Sequence, residues 1–142
     1  MPTPATLAAL QRAETAPDGV RDLIGYRFRC TDNVLQVVLD IDARHRNRAG
    51  TMHGGIAPLL MTVAGALAVY AADDTVDFAA NTALSLSYLT AVNEGHVVAI
   101  GVVERLGGTL AHVSTRLVAQ ASGEALAVGA CVYRLVRSSR AA

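Results

Sequence analysis

The sequence is short of several residue types, and each shortage narrows the possible functions. It contains no tryptophan and only two cysteines, and its twelve basic residues, all arginine, balance twelve acidic ones. Without net charge the chain has no long-range field to attract nucleic acid or an anionic membrane, so neither is an expected partner. Cys30 and Cys131 lack metal-site spacing, and we expect buried, reduced thiols in a cytoplasmic protein. Because no metal-ligand cluster, phosphate-binding loop or nucleophile elbow is present, we expect no metal and no resident cofactor.

One stretch has no charged residue at all, the run between His53 and Asp73. Large apolar residues recur in it at helical spacing, and alanine and glycine fill most other positions; the large ones are Ile56, Leu59, Leu60, Val63, Leu67 and Tyr70. A helix that is apolar on every side is buried on every side. We therefore predict a central helix over residues 54–72, with Pro58 tolerated in its first turn and Asp73 ending it in solvent.

An uncharged run of this length is also compatible with a transmembrane span. The run contains three glycines and a proline, however, and its apolar content is mostly alanine. It is also followed by four strand-like segments of a water-soluble kind. The N-terminus has neither a basic region nor an apolar run, so we expect no secretory signal. We prefer the buried helix and expect no membrane association.

Strand patterns surround this helix in the chain. A short helix pattern occupies residues 4–15, and six strand patterns cover residues 23–30, 34–41, 82–90, 96–105, 109–120 and 124–136. An antiparallel sheet wrapped around the one apolar helix accommodates this order, which predicts an α+β fold in a single domain, 1–142, with its core at 20–136. Only one sheet face would be covered in a monomer, so we expect a homo-oligomer. We expect the tail from Arg137 to be frayed.

The start of the central helix has the composition of an oxyanion site. A helix N-terminus presents unpaired N–H groups and a partial positive charge, and glycine lets a ligand approach the backbone. Gly54 and Gly55 are therefore candidates to donate to a carbonyl oxygen that becomes an oxyanion. His53 and Asn47 flank this point and are candidates to orient water or a substrate carbonyl. Tight packing alone also accounts for two glycines here, so both interpretations stand.

The run Asn47-Arg-Ala-Gly-Thr-Met-His53-Gly-Gly, followed by an apolar helix and four strands, resembles the hotdog-fold acyl-CoA thioesterases of the phenylacetate-pathway and 4-hydroxybenzoyl-CoA type. The resemblance extends from about residue 20 to residue 136. It includes the strand 81–90, the turn 107–111 and the final strand through Arg134. It implies a hotdog fold, an acyl-CoA substrate whose coenzyme A is not a separate cofactor, and a homodimer or homotetramer.

The resemblance also implies roles for individual residues. The N–H of Gly54 would polarise the thioester carbonyl, while His53 and Asn47 would orient the thioester or the attacking water. If the protein is such a thioesterase, we expect a catalytic site between subunits, to which one chain contributes Asn47, His53 and Gly54 and the helix of its neighbour contributes Thr62. Residues implied to contact substrate or coenzyme A are Gly55, Asn81, Tyr88, Arg105, Gly107, Gly108, Thr109, Leu110 and Arg134. Arginines at 105 and 134 are suitable partners for phosphate.

The sequence departs from this family at the catalytic carboxylate. The family places that acid on the central helix nine residues after the motif histidine, where this chain has Thr62; a register shifted by one residue gives Met61. A threonine hydroxyl has no comparable basicity. Two functions therefore remain open, hydrolysis of an acyl-CoA thioester and binding of an acyl-CoA without hydrolysis. A different reaction on the same scaffold is a third possibility.

The remaining histidines give weaker signals. Asp40 and His45 lie five residues apart, like the catalytic pair of hotdog hydratases, but the surrounding residues do not match that motif. We predict that the two form a solvated loop pair. His112 shares a predicted strand face with Arg116, which indicates a surface or interface role.

Overall fold

The uncharged run forms a single helix in the computed structural model of the protein, which describes residues 1–138. This helix, α3 (Ile56–Ala72), begins two residues later than predicted, because Gly54 and Gly55 form a turn and Gly55 is the N-cap. Pro58 lies in its first turn. The side chains of Leu60 and Met61 are fully buried, so the central position predicted for the helix is confirmed.

A six-stranded antiparallel sheet wraps around α3. Its strands are β1 (Arg27–Thr31), β2 (Val34–Asp40), β3 (Val76–Tyr88), β4 (His96–Leu106), β5 (Leu110–Ala119) and β6 (Ala125–Arg137). They lie in the order β1-β2-β4-β5-β6-β3, and every neighbouring pair is antiparallel. This is the α+β hotdog arrangement predicted from the sequence. It places the N-terminus of α3 beside the end of β3.

The helix and the sheet touch backbone to backbone at one point. A Cβ built on Gly101 of β4 would lie 2.8 Å from the Cα of Gly65 and 2.9 Å from the carbonyl oxygen of Ala64. On another side of the same helical turn, the hydroxyl of Tyr133 donates to the carbonyl of Thr62. Burial raises the pKa of Tyr133, so this hydroxyl stays protonated. Gly65, Gly101 and Tyr133 therefore set the distance between α3 and the sheet.

Two short helices precede the sheet. The first, α1 (Pro4–Thr15), has the predicted bounds and packs against α3. The prediction that residues 23–30 form a strand is wrong at its start, because residues 23 and 24 belong to α2 (Gly19–Ile24). Asp18 caps the N-terminus of α2, and Gly25, with φ of 86°, ends the helix in a left-handed conformation. These local caps outweigh the apolar pattern that suggested a strand.

The C-terminal end of the sheet is better ordered than predicted. Arg137 is the last residue of β6 rather than part of a frayed tail, and its guanidinium pairs with Asp73 at 2.8 Å. Asp73 is therefore not a solvated helix end, since this ion pair and hydrogen bonds from Thr75 enclose its carboxylate. Residues 139–142 of the predicted tail lie outside the described residues.

One edge of the sheet and one side of α3 remain partly uncovered. β3 is an edge strand, and its Phe78 and Tyr88 are 58% and 59% exposed. On α3, Leu59, Thr62 and Val63 are only half-buried. Within residues 1–138 no helix is long and apolar enough to cross a membrane.

Candidate functional site

A buried histidine holds the loop that leads into α3. His45 is 1% exposed and ends a short 3-10 helix, Ala43–His45. Its Nδ1 accepts the N–H of Asp42 at 3.0 Å, so its Nε2 carries the proton and donates to the carbonyl of Ile24 at 2.7 Å. The carbonyl of His45 accepts the N–H of His53 at 2.7 Å. His45 thus ties the end of α2 to the candidate site.

The predicted solvated pair of Asp40 and His45 is wrong. The acidic partner of His45 is Asp42, whose carboxylate lies 3.5 Å from the ring because it caps the 3-10 helix. The carboxylate of Asp40 lies instead 3.9 Å from Nε2 of His96, its neighbour across β2 and β4. His45 therefore supports the loop from inside the protein.

His53, Gly54 and Gly55 form the turn before α3. The N–H of Gly55 donates to Nδ1 of His53 at 2.9 Å, and the N–H of Ile56 donates to the carbonyl of His53 at 3.0 Å. The neutral ring of His53 therefore carries its proton on Nε2. The N–H of Gly54 has no hydrogen-bond partner in the described part of the chain. This N–H and Nε2–H of His53 are both available to a ligand at the start of α3.

The peptide between Gly54 and Gly55 is held from both sides. The hydroxyl of Tyr88 donates to the carbonyl of Gly54, and the ring of His53 accepts the N–H of Gly55. A Cβ built on Gly55 would lie only 3.2 Å from Nδ1 of His53, which favours glycine at this position. The resemblance implied that Tyr88 contacts substrate. Its hydroxyl here holds the carbonyl of Gly54 in the turn before α3, while the residue also lines the adjacent cavity.

The side chain of Asn47 forms its hydrogen bonds mainly within its own loop. Its Oδ1 accepts the N–H groups of Ala49 and Thr51 at 3.0 and 3.2 Å, and its Nδ2 donates to the hydroxyl of Thr51 at 3.1 Å. An asparagine that bonds backbone two residues ahead forms an Asx-turn. One hydrogen on Nδ2 is left for a ligand, so Asn47 can orient only one acceptor.

These groups line an open cavity of about 380 Å³, within the size range of small-ligand pockets. Its polar side contains Asn47, Thr51, His53, Gly54, Tyr88 and Thr90, and its apolar side includes Ala57, Val92, Leu117 and Leu126. The N-terminus of α3 faces this space with its partial positive charge. The sequence predictions for His53, Gly54, Asn47 and Tyr88 therefore converge on one cavity.

Thr62 and Asn81 lie away from this cavity. Both line a second cavity of about 460 Å³ between α1, α3 and β3. The hydroxyl of Thr62 donates to the carbonyl of Leu59 at 3.0 Å, so only its lone pairs remain for another partner. The amide of Asn81 donates to two carbonyls at 3.0 and 3.2 Å beside the bulge in β3. Within one chain the structure does not join Thr62 to His53, and the expectation that a neighbouring subunit joins them remains a prediction.

The residues expected to bind coenzyme A form a third group, at the turn between β4 and β5. They surround an open depression of about 390 Å³, lined by Arg105, Gly107, Gly108, Thr109, Leu110 and His112. The N–H of Gly107 closes the turn on the carbonyl of Leu110 at 2.8 Å. Across the strands, Arg105 pairs with His112 and Leu110 pairs with Arg134, so these side chains share the outer sheet face. This turn is positively charged and open to solvent.

Comparison with known families identifies the scaffold. A model of the thioesterase superfamily matches residues 49–126, more than half of the chain, including the His53 turn, α3 and strands β3 to β5. The chain belongs to the thioesterase superfamily. A search of curated protein sequences gave no significant match.

Solved structures agree with this assignment at the level of the fold. A mutant thioesterase, PA1618 from Pseudomonas aeruginosa, has a TM-score of 0.78 at 22% identity, over 96% of both chains. The BH2602 protein of Bacillus halodurans, solved with CoA, has a TM-score of 0.79 at 19% identity, over 94% of this chain and 92% of its own. A mutant of the phenylacetic acid degradation protein PaaI from Thermus thermophilus has a TM-score of 0.69 at 21% identity, covering 84% of this chain and 100% of its own.

Two residues of this thioesterase-superfamily domain were not anticipated at the site. His45 is buried and its carbonyl accepts the N–H of His53. The signal available in the sequence was the Asp42-x-x-His45 spacing of a capping box, although histidine is an unusual residue in that position. His112 joins the turn through its pairing with Arg105, a register that the sequence does not specify. No group of three or more His, Cys, Asp or Glu residues in 1–138 is placed to hold a metal ion.

Proposed function

We propose that this protein hydrolyses an acyl-CoA thioester to the free acid and CoA, with the oxyanion at the N–H of Gly54. The observation that carries the proposal is this unpaired amide, held at the start of α3 in a cavity that it shares with Nε2–H of His53. Membership of the thioesterase superfamily supports the reaction class. The CoA in the Bacillus halodurans structure supports CoA as the leaving group.

The proposed reaction has two steps. Water adds to the thioester carbonyl and loses a proton to solvent, and the carbonyl oxygen becomes an oxyanion that accepts from Gly54 and His53. The tetrahedral intermediate then collapses, the C–S bond breaks and CoA leaves as a thiolate. Because a thiol has a pKa of about 8.5, the thiolate leaves without prior protonation by the enzyme. The protein therefore needs an oxyanion site and a means of positioning water, more than a general acid.

Positioning of the water is assigned to Thr62 of a neighbouring subunit. The hydroxyl proton of Thr62 is committed to Leu59, so its oxygen is free to accept a hydrogen bond from water but is not a base. The half-buried stripe of α3 and the exposed edge of β3 are the surfaces that a second copy would cover, in a homodimer or homotetramer. A cytoplasmic location is part of the same proposal and rests on the sequence.

Two substitutions at one position test the oxyanion assignment. Gly54→Pro removes the N–H, whereas Gly54→Ala keeps it, and the added Cβ would lie at an ordinary 3.6 Å from the hydroxyl of Tyr88. Loss of one oxyanion donor typically lowers kcat by about 100- to 1,000-fold. We expect that loss for the proline variant and at most about a threefold change for the alanine variant, measured as thiol release from aliphatic and aromatic acyl-CoAs. Equal activity of the two variants would exclude Gly54 N–H as the donor.

A second candidate function is acyl-CoA binding without hydrolysis. The observation that favours it is Thr62, a residue with no basicity at the position of the family's carboxylate. Thr62→Asp restores an acid, and Thr62→Asn is its matched control without basicity. If the wild type binds CoA esters, raising its melting temperature, but releases no thiol, and only the aspartate variant turns over, the binding function is correct. A general base contributes about 100-fold or more, so the gain would be readily measured.

A further inference from the structure

The guanidinium of Arg137 connects the turn between β4 and β5 to the C-terminal end of the central helix, α3. Arg137 donates through Nη1 to the carbonyl of Gly108, through Nε to the hydroxyl of Thr75 at 3.0 Å, and through Nη2 to Asp73 at 2.8 Å. It therefore contacts three segments: the β4–β5 turn, the loop before β3 and the C-cap of α3. Three of its five N–H donors are used in this way, so Arg137 supports the turn.

Asp73 completes the connection. Its carboxylate accepts the hydroxyl of Thr75 at 2.6 Å and the N–H of Thr75 at 2.9 Å, besides the guanidinium of Arg137. It is the C-cap of α3, and its own N–H is bonded to the carbonyl of Val69. Its position is therefore set by a rigid helix. The guanidinium also neutralises the negative charge of Asp73, which would otherwise repel an anion at the neighbouring turn.

The supported turn has donors that point to an anionic ligand. Among residues 1–138 the N–H groups of Gly108 and Thr109 have no hydrogen-bond partner. The carbonyl of Thr109 is fixed by the N–H of Leu135 at 2.8 Å, and that of Gly108 by Arg137. The carbonyls of Gly108 and Thr109 thus both accept hydrogen bonds from residues of β6. The N–H groups of Gly108 and Thr109 remain available beside the positively charged outer face of the sheet.

We infer that Arg137 is a positioning residue for the nucleotide end of CoA: by holding Gly108 against the end of α3 it keeps the turn in its phosphate-binding conformation. This inference rests on the proposed acyl-CoA function and on the expectation, implied by the resemblance, that the β4–β5 turn binds CoA. It goes beyond it by assigning a residue that touches neither the thioester nor the phosphates. Loss of Arg137 frees the carbonyl of Gly108 and leaves Asp73 as an unpaired negative charge near the phosphates. Both effects weaken CoA and leave the acyl end of the site unchanged.

The experiment compares a ligand that has the nucleotide with one that lacks it. Calorimetric titration with CoA and with pantetheine is carried out on the wild type, on Arg137→Gln and on the matched control Arg27→Gln. Arg27 is exposed on the opposite edge strand, β1, and its side chain has no hydrogen-bond or ion-pair partner in residues 1–138. We expect Arg137→Gln to weaken CoA at least tenfold and pantetheine less than twofold, and Arg27→Gln to change neither.

Kinetics give a second readout. Arg137→Gln should raise KM for an acyl-CoA with little change in kcat, and should leave KM for the corresponding acyl-pantetheine unchanged. If the glutamine variant does not fold, Arg137→Lys keeps the charge but cannot reach three acceptors at once. We expect it to weaken CoA at least threefold, again without an effect on pantetheine.

Each outcome decides the inference. Unchanged CoA affinity in the folded variants overturns it, and so does an equal loss of CoA and pantetheine, which would indicate a general structural role. A wild type that does not bind CoA overturns both this inference and the proposed function. A wild type that binds CoA but releases no thiol overturns hydrolysis alone, since the binding comparison still decides the role of Arg137.

Discussion

The contact between Gly101 of β4 and Gly65 of α3 makes a direct prediction about the fold. In Gly101→Ala the new Cβ would lie 2.8 Å from the Cα of Gly65, 2.9 Å from the carbonyl oxygen of Ala64 and 3.1 Å from its carbonyl carbon. Carbon atoms normally pack about 3.5–4.0 Å apart, so helix and strand must separate by more than half an ångström. All three atoms are backbone, so no side-chain rotation relieves the overlap.

The expected cost follows from this geometry. Overpacking a well-packed interior costs about 1–3 kcal/mol, and a backbone clash belongs in the upper part of that range. Replacing glycine by alanine within a strand stabilises the folded state by about 0.5–1 kcal/mol, because alanine loses less conformational entropy on folding. We therefore expect Gly101→Ala to lower the free energy of unfolding by about 2 kcal/mol. For a chain of this length that corresponds to a melting temperature lower by roughly 6–8 °C.

Urea denaturation of both proteins at the same protein concentration measures this change, because the apparent stability of an oligomer depends on its concentration. The control is Gly19→Ala, where a Cβ at the first residue of α2 meets nothing within 4 Å. The control should be neutral or stabilised by about 0.4–1 kcal/mol. If Gly101→Ala is within 0.5 kcal/mol of the wild type, the helix does not lie on β4 as described, and the position of α3 in the site would need revision.

Two further predictions concern the site and the support of the turn. Tyr88→Phe removes the hydroxyl that holds the carbonyl of Gly54. Because a hydrogen bond contributes about 1 kcal/mol, we expect kcat for thiol release to fall about fivefold with KM unchanged. An unchanged kcat would show that the bond is dispensable. For Asp73, hydrogen bonds from Thr75 and Arg137 lower the pKa from 3.8 to about 2. A carboxyl whose pKa is lowered by folding stabilises the protein above the unfolded pKa and loses that contribution as pH falls through the folded one. Asp73→Asn should therefore be less stable than the wild type by about 1 kcal/mol at pH 7, and the gap should close between about pH 4 and pH 2 in urea melts; a gap that is independent of pH would contradict the assignment.

Patterns confined to neighbouring residues were predictable from the sequence. The apolar run gave the central helix because burial on all sides requires apolar residues on all sides. The alternation in residues 109–120 predicted a strand, and Ala111, Val113, Thr115 and Leu117 are buried on one face of β5. The same local logic failed at residues 23 and 24, where Asp18 and Gly25 cap a short helix. A cap is one side chain or one φ angle, so it leaves little trace in a hydrophobic pattern.

The candidate site was predictable in part. The His-Gly-Gly turn is a local feature at a helix N-terminus, and its position is decided by residues next to each other in the chain. The donors that remain at this turn were not predictable. Nδ1 of His53 and the N–H of Gly55 bond to each other, and Tyr88 occupies the carbonyl of Gly54. Within residues 1–138, only Gly54 N–H and His53 Nε2–H are left at this turn, and that selection depends on where β3 ends.

The sequence by itself determined the class of fold, the central helix and the turn at its start, because burial and backbone conformation there depend on adjacent residues. Only the tertiary structure decided that His45 is internal, that Thr62 lies in a separate cavity from His53, and that Arg137 connects Gly108 with Asp73. Gly108 and Asp73 lie 29 and 64 residues away from Arg137 in the chain. Such pairs meet because the sheet closes around α3, and a hydrogen bond exists only once packing has brought its donor and acceptor within about 3 Å.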